Sequence, residues 1–192
     1  MSELRTNRIV PRDGLPSGSS GGIIQVKSAT KTDTYSKPSG TSFLDVPGLS
    51  VSITPTRSDS KILVMYDLCW GIADGHGSMR LMRDSTPIKI GDAAGNRTRA
   101  TGHWHQDDSG NDEYDIVQHS GTFLDSPSTT SSVTYKIQIG NPHSSSYTFF
   151  VNRSGADNDQ AWEARTCSTR DINTCSCCNY SYRIYICYVF VC

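Results

Sequence analysis

Phe43-Leu44-Asp45-Val46-Pro47 and Phe123-Leu124-Asp125-Ser126-Pro127 share four of their five residues at a distance of 80 positions, and each precedes a Ser/Thr-rich run and an apolar stretch. Two halves that repeat one strand-and-turn unit are the sequence form of a double Greek key, the arrangement of a jelly roll. A turn type common to two unrelated connections gives the same echo without duplication.

Around this echo, short apolar stretches alternate with turn signals, the spacing of a sandwich or barrel. Ile23–Val26, Leu49–Ile53, Lys61–Leu68, Met79–Met82, Ile88–Ile90, Tyr114–Val117, Val133–Ile139, Tyr147–Val151 and Tyr182–Val191 are the strand candidates. Between them lie Lys37-Pro38-Ser39-Gly40, Val46-Pro47-Gly48, Asp108-Ser109-Gly110-Asn111 and Gly140-Asn141-Pro142, whose residues supply a positive or fixed φ. The glycines of Gly71-Ile72-Ala73-Asp74-Gly75-His76-Gly77 read as loop punctuation.

Composition points the same way. Ser and Thr total 45 of 192 residues, whereas Leu and Ala contribute 8 each, so helix interiors are poorly supplied. Leu, Ile, Val and Phe reach only about 19% of the chain, yet a net charge of −1 does not suit a solvated coil. A thin core that leans on a partner fits both facts. The balance of 18 basic and 19 acidic residues gives no field that would draw nucleic acid, and no apolar run approaches membrane-spanning length. The start MSELRTNRIV is too polar for a signal peptide, so the expectation is a chain soluble in the cell that makes it. Its Asn-x-Ser/Thr triplets are then coincidental.

The sequence divides into three parts. Residues 1–13 form an arm in which Leu4, Arg5, Arg8, Ile9, Val10 and Arg12 mix apolar anchors with cations, suited to another protein's groove or edge; a frayed terminus is the plainer reading. Residues 14–22 are a Gly/Ser linker, and residues 23–192 are the β-domain, ending in a Cys-rich strand region.

Several segments, in order, resemble a family of small phage virion proteins found especially among phages of marine and cyanobacterial hosts. They are Arg8-Ile9-Val10-Pro11-Arg12-Asp13-Gly14-Leu15, Gly22-Ile23-Ile24-Gln25-Val26, Gly48-Leu49-Ser50-Val51-Ser52-Ile53-Thr54-Pro55, Ser60-Lys61-Ile62-Leu63-Val64, Ile90-Gly91-Asp92-Ala93-Ala94-Gly95 and Phe123-Leu124-Asp125-Ser126-Pro127. The resemblance covers residues 1–166 and implies an arm followed by a trimeric jelly roll similar to the tumour-necrosis-factor and complement type. A trimer would bury apolar faces that a thin core leaves exposed. The C-terminus departs from the family, because Cys167, Cys175, Cys177, Cys178, Cys187 and Cys192 stand where a plain final strand is expected. Thiols, disulfides and a soft-metal site are all open to them.

The segment Gly102–Asp115 is the candidate contact surface. His103 and His105 lie two apart on one face of a strand, and a trimer would bring six ring nitrogens to its axis. Some phage fibres hold iron in that way, a resemblance limited to these two residues; ordinary loop histidines are the alternative. Asp107, Asp108, Asp112, Glu113 and Asp115 lack the order of a dedicated calcium loop. Trp104 and Tyr114 offer flat faces beside Asp107 and Asp108, a mixture suited to sugar rings. No nucleophile elbow, phosphate loop or dinucleotide fingerprint is present, and no cofactor is implied.

The sequence therefore points to a non-enzymatic phage virion protein: a homotrimeric short tail fibre that docks on another virion protein by its arm and contributes to adhesion at a host surface glycan. A capsid decoration protein is the alternative.

Overall fold

The computed structural model describes residues 23–72, 75–106, 114–143, 147–157 and 182–189. The arm, the linker, Asp107, Asp108 and Cys167 through Cys178 lie outside them. The described residues form eleven strands and no α-helix: β1 (Ile23–Lys31), β2 (Tyr35–Lys37), β3 (Leu44–Ile53), β4 (Lys61–Ile72), β5 (Gly75–Arg83), β6 (Thr86–Ile88), β7 (Gly102–Gln106), β8 (Val117–Asp125), β9 (Val133–Gly140), β10 (Phe149–Val151) and β11 (Tyr182–Val189).

Two antiparallel sheets pack face to face. In the first, β4 pairs along one edge with β8; along its other edge β11 takes Lys61–Tyr66 and β10 takes Trp70–Ile72, with β1 beyond β11 and β2 beyond β10. The second runs β3-β9-β5, and the far edge of β5 is shared by β7 at Gly75–Met79 and β6 at Leu81–Arg83.

Setting aside the three-residue strands, the eight long ones pair first with last, β1 with β11, then β3 with β9, β4 with β8 and β5 with β7. One long hairpin rolled across itself produces that order, and the result is the jelly-roll sandwich that the sequence favours. Among the described residues the edge strands are β1, β2 and β8 in one sheet and β3, β6 and β7 in the other, with β7 a five-residue strand paired only with β5.

Alternation builds the core. Along β9, Val133, Tyr135, Ile137 and Ile139 point inward while Thr134, Lys136 and Gln138 are half-buried outside. From the facing sheet come Ile62, Val64, Tyr66, Leu68, Trp70 and Ile72 of β4. The abundant hydroxyls belong largely to outer faces: Ser52 and Thr134 oppose each other across β3 and β9 with their oxygens 2.8 Å apart. Few large apolar residues are needed because only one face of each sheet is filled.

The two copies of the opening echo are not equivalent. Leu44 and Asp45 begin β3, and Asp45 lies outside, held by Lys136 and Gln138. Phe123, Leu124 and Asp125 end β8, and Asp125 points inward to Arg83 and Tyr135. A jelly roll is present, but the echo does not mark two structural halves. Other departures have one physical cause. The inner row of β8 is Val117, His119, Gly121, Phe123 and Asp125, and β7 has a single apolar residue, so neither carries an apolar alternation. β8 accordingly begins at Val117, and Tyr114 precedes it.

Candidate functional site

The described start of the candidate contact segment, Gly102–Gln106, lies at the end of the sandwich where β4 gives way to β5. This stretch is not a loop: it is strand β7. Pairing with β5 sets His105 opposite His76 and His103 opposite Ser78. On a strand, successive side chains take opposite faces, so His103 and His105 share the outer face, and both are exposed. Trp104 turns inward.

The Trp104 ring meets Trp70 edge-on with centroids 6.3 Å apart, and Trp70 in turn stacks on Phe149 at 6.1 Å. Trp70 Nε1 donates to His119 Nδ1 at 2.9 Å, which leaves the proton of a neutral His119 on Nε2. Burial pushes the His119 imidazole below its ordinary value, and a hydrogen bond with the His103 backbone opposes that shift. Here the flat face that the sequence offers to a sugar is spent on packing. Tyr114 is exposed, whereas Asp107 and Asp108 fall outside the described residues.

Glycines make this close packing possible. At Gly77, a Cβ would lie 2.4 Å from Ile72 Cδ1 and 2.7 Å from Trp70 Cζ3; at Gly75, with φ of +77°, it would lie 2.2 Å from the Tyr147 ring. Gly71 faces the carbonyl oxygens of Arg153 and Asp115, each 3.0 Å from where a Cβ would stand. These residues are strand positions under steric constraint, not the loop punctuation their spacing suggests.

Outside, the rings gather. His76 stacks on His105 with centroids 4.2 Å apart and planes inclined by 25°, lies 5.7 Å from His103, and meets His143 edge-on at 6.5 Å. The Nδ1 of His103 is 3.0 Å from the Ser78 hydroxyl oxygen. Burial, followed by the charges of His76, His105 and His119, holds His103 below the ordinary imidazole range. Asn141 Oδ1 accepts the His143 amide at 2.8 Å, a turn that fixes where this residue starts. Thus all five histidines of the chain occupy this end. Sequence spacing marks only the 103/105 pair; His76, His119 and His143 join through strand pairing that no local signal announces. Among the described residues, no three His, Cys, Asp or Glu side chains are arranged to hold a metal ion.

A second surface is apolar. On the outer face of the first sheet, Leu124 of β8 stands opposite Leu63 of β4, and the backbone register continues through β11 to Val26 of β1. Leu124 and Val26 are about half exposed, Met65 stands two residues along β4 from Leu63, and Ile23 is exposed at the start of β1.

No protein-family model matches the chain, and no curated protein does. Among solved structures it is similar to the infectious bursal disease virus VP2 subviral particle, at 11% sequence identity and a TM-score of 0.40, over 98% of this chain and 46% of that one. The chain thus spans less than half the length of that protein, and so distant a likeness carries no weight on function.

Proposed function

We propose that this chain is a non-enzymatic phage virion protein whose sandwich trimerises and projects from the particle while residues 1–13 dock on another virion component. Its role is adhesion by a short tail fibre, where many weak contacts to a host surface glycan gain strength through effective concentration. The observation that carries the reading is the apolar outer face of the first sheet, with Ile23, Val26, Met65 and Leu124 exposed on a chain otherwise rich in surface hydroxyls. Scattered single apolar residues need no partner, but exposed apolar residues on β1, β4 and β8 of one sheet face suit one. A second copy of the chain is its occupant, and the segments that resemble the phage family support the reading of a trimer with a docking arm.

Light scattering on the purified full-length protein tests the assembly. A mass three times that of the chain is expected, and Met65→Glu with Leu124→Glu is expected to yield a folded monomer, because like charges would meet unpaired in a buried interface. A wild-type monomer at all accessible concentrations, or a trimer untouched by both substitutions, would overturn the interface.

A further inference from the structure

The outer face of β5 and β7, part of the candidate contact surface, carries an arrangement that sugar binding alone does not explain. Four imidazoles stand together there, His76, His103, His105 and His143, and the closest pair is stacked at 4.2 Å between directly opposed residues of the two strands. β7 is short, lies at the edge and pairs with β5 alone among the described strands; its His103 backbone also meets His119 and its Trp104 ring meets Trp70, contacts that its release would break while the sheet behind it stays paired.

We propose that this histidine stack is a proton-operated latch, which holds β7 on β5 when its rings are neutral and releases the strand when they are charged. The inference stands independently of the virion reading.

Neutral imidazoles stack readily; two imidazolium rings at that spacing repel. Among the described residues, the surroundings offer little to neutralise them. On β5 the next outward charge is Arg80, a cation whose Nε donates to the Arg99 carbonyl and whose guanidinium covers the Phe43 ring. From β8, His119 acts on His103 from the inner side. On β9, Gly140 lies opposite Ser78 and Gln138 opposite Arg80, and the carboxylate on this outer face, Asp45, is already held by Lys136 and Gln138. Asp92, Arg97 and Arg99 stand in the segment that leads into β7, and Asp115 lies near Gly71 at the end of β4.

The direction follows from linkage. His103, held below the ordinary imidazole value by burial and then by the neighbouring rings, binds its proton less readily latched than released, so acid favours release, beginning as the pH falls below about 6.5. Release would uncover Trp104 and the edge of β5.

Hydrogen exchange of the full-length protein at pH 7.5 and 5.0, normalised for intrinsic rates, reads the latch directly. Protection across Gly102–Gln106 is expected to fall several-fold at the lower pH, while β9 keeps its protection. His76→Gln, at an exposed position, is expected to remove most of that fall, and imidazole resonances followed by NMR are expected to show His103 titrating at a higher pH in the variant than in the wild type. Equal loss of β7 protection in wild type and His76→Gln, no loss in either, or a His103 titration unmoved by the substitution would overturn the proposal.

Discussion

Replacing Asp125 by alanine removes the acceptor for two buried or half-buried donors at once. Arg83 Nη1 lies 2.9 Å from each carboxylate oxygen, and the Tyr135 hydroxyl donates to Oδ2 at 2.5 Å. Asp125 is 6% exposed and Tyr135 fully buried, so neither is compensated by water, whereas the Arg83 side chain keeps 27% of its surface. Burial first, then the Asp125 partner, pushes the Tyr135 hydroxyl far above its ordinary range, which keeps it a proton donor at every working pH. Breaking a buried ion pair costs about 3–5 kcal/mol, and the partial exposure of Arg83 places Asp125→Ala near 3 kcal/mol. Tyr135→Phe leaves the pair intact and loses one hydrogen bond to a charged group, about 1.5–2 kcal/mol. Urea unfolding followed by circular dichroism, at pH 7.5 and one fixed chain concentration because association adds apparent stability, measures both. A loss below about 1 kcal/mol for Asp125→Ala would refute the reasoning, since unsatisfied buried groups would then have found another way to be solvated.

Other outcomes follow from the same geometry. Gly75→Ala places a Cβ on the Tyr147 ring at a φ of +77° and is expected to cost about 2 kcal/mol or more, whereas Gly91→Ala, with nothing within 4 Å, is expected to change thermal stability by less than about 0.5 kcal/mol. His103 and His119 are both held below the ordinary imidazole value, chiefly by burial. The unfolded chain then binds more protons than the folded one, so their stabilising contribution is full above the unfolded value and is lost as pH falls below about 6.5. Urea midpoints taken between pH 7.5 and 5.5 are expected to drop, and His119→Gln to flatten that drop; a rise on acidification would contradict the assignment.

How far the sequence reaches is clearest from three strands. β9 announces itself, since Val133, Tyr135, Ile137 and Ile139 alternate with polar residues and the two faces separate as written. β8 does not, because its inner positions include His119 and Asp125, which are tolerated only through partners on β4, β5 and β9: Trp70, Arg83 and Tyr135. β7 has five residues and one apolar side chain, and its identity as a strand rests on pairing with β5. The His103/His105 pair is visible by its spacing, while the ring that joins it, His76, lies 27 residues earlier on a strand whose glycines imitate a loop. Sequence periodicity reports burial against water; it is silent where a buried polar group is satisfied by a distant partner.

Cryo-electron microscopy of intact, purified particles tests the virion reading most directly, by locating this chain and counting its copies. Threefold clusters of the sandwich, in tens around the tail and attached through the N-terminal arm, are the expected result. A regular array in hundreds over the capsid would contradict the adhesive fibre and make the chain a decoration protein, and absence from the particle would contradict the virion role itself.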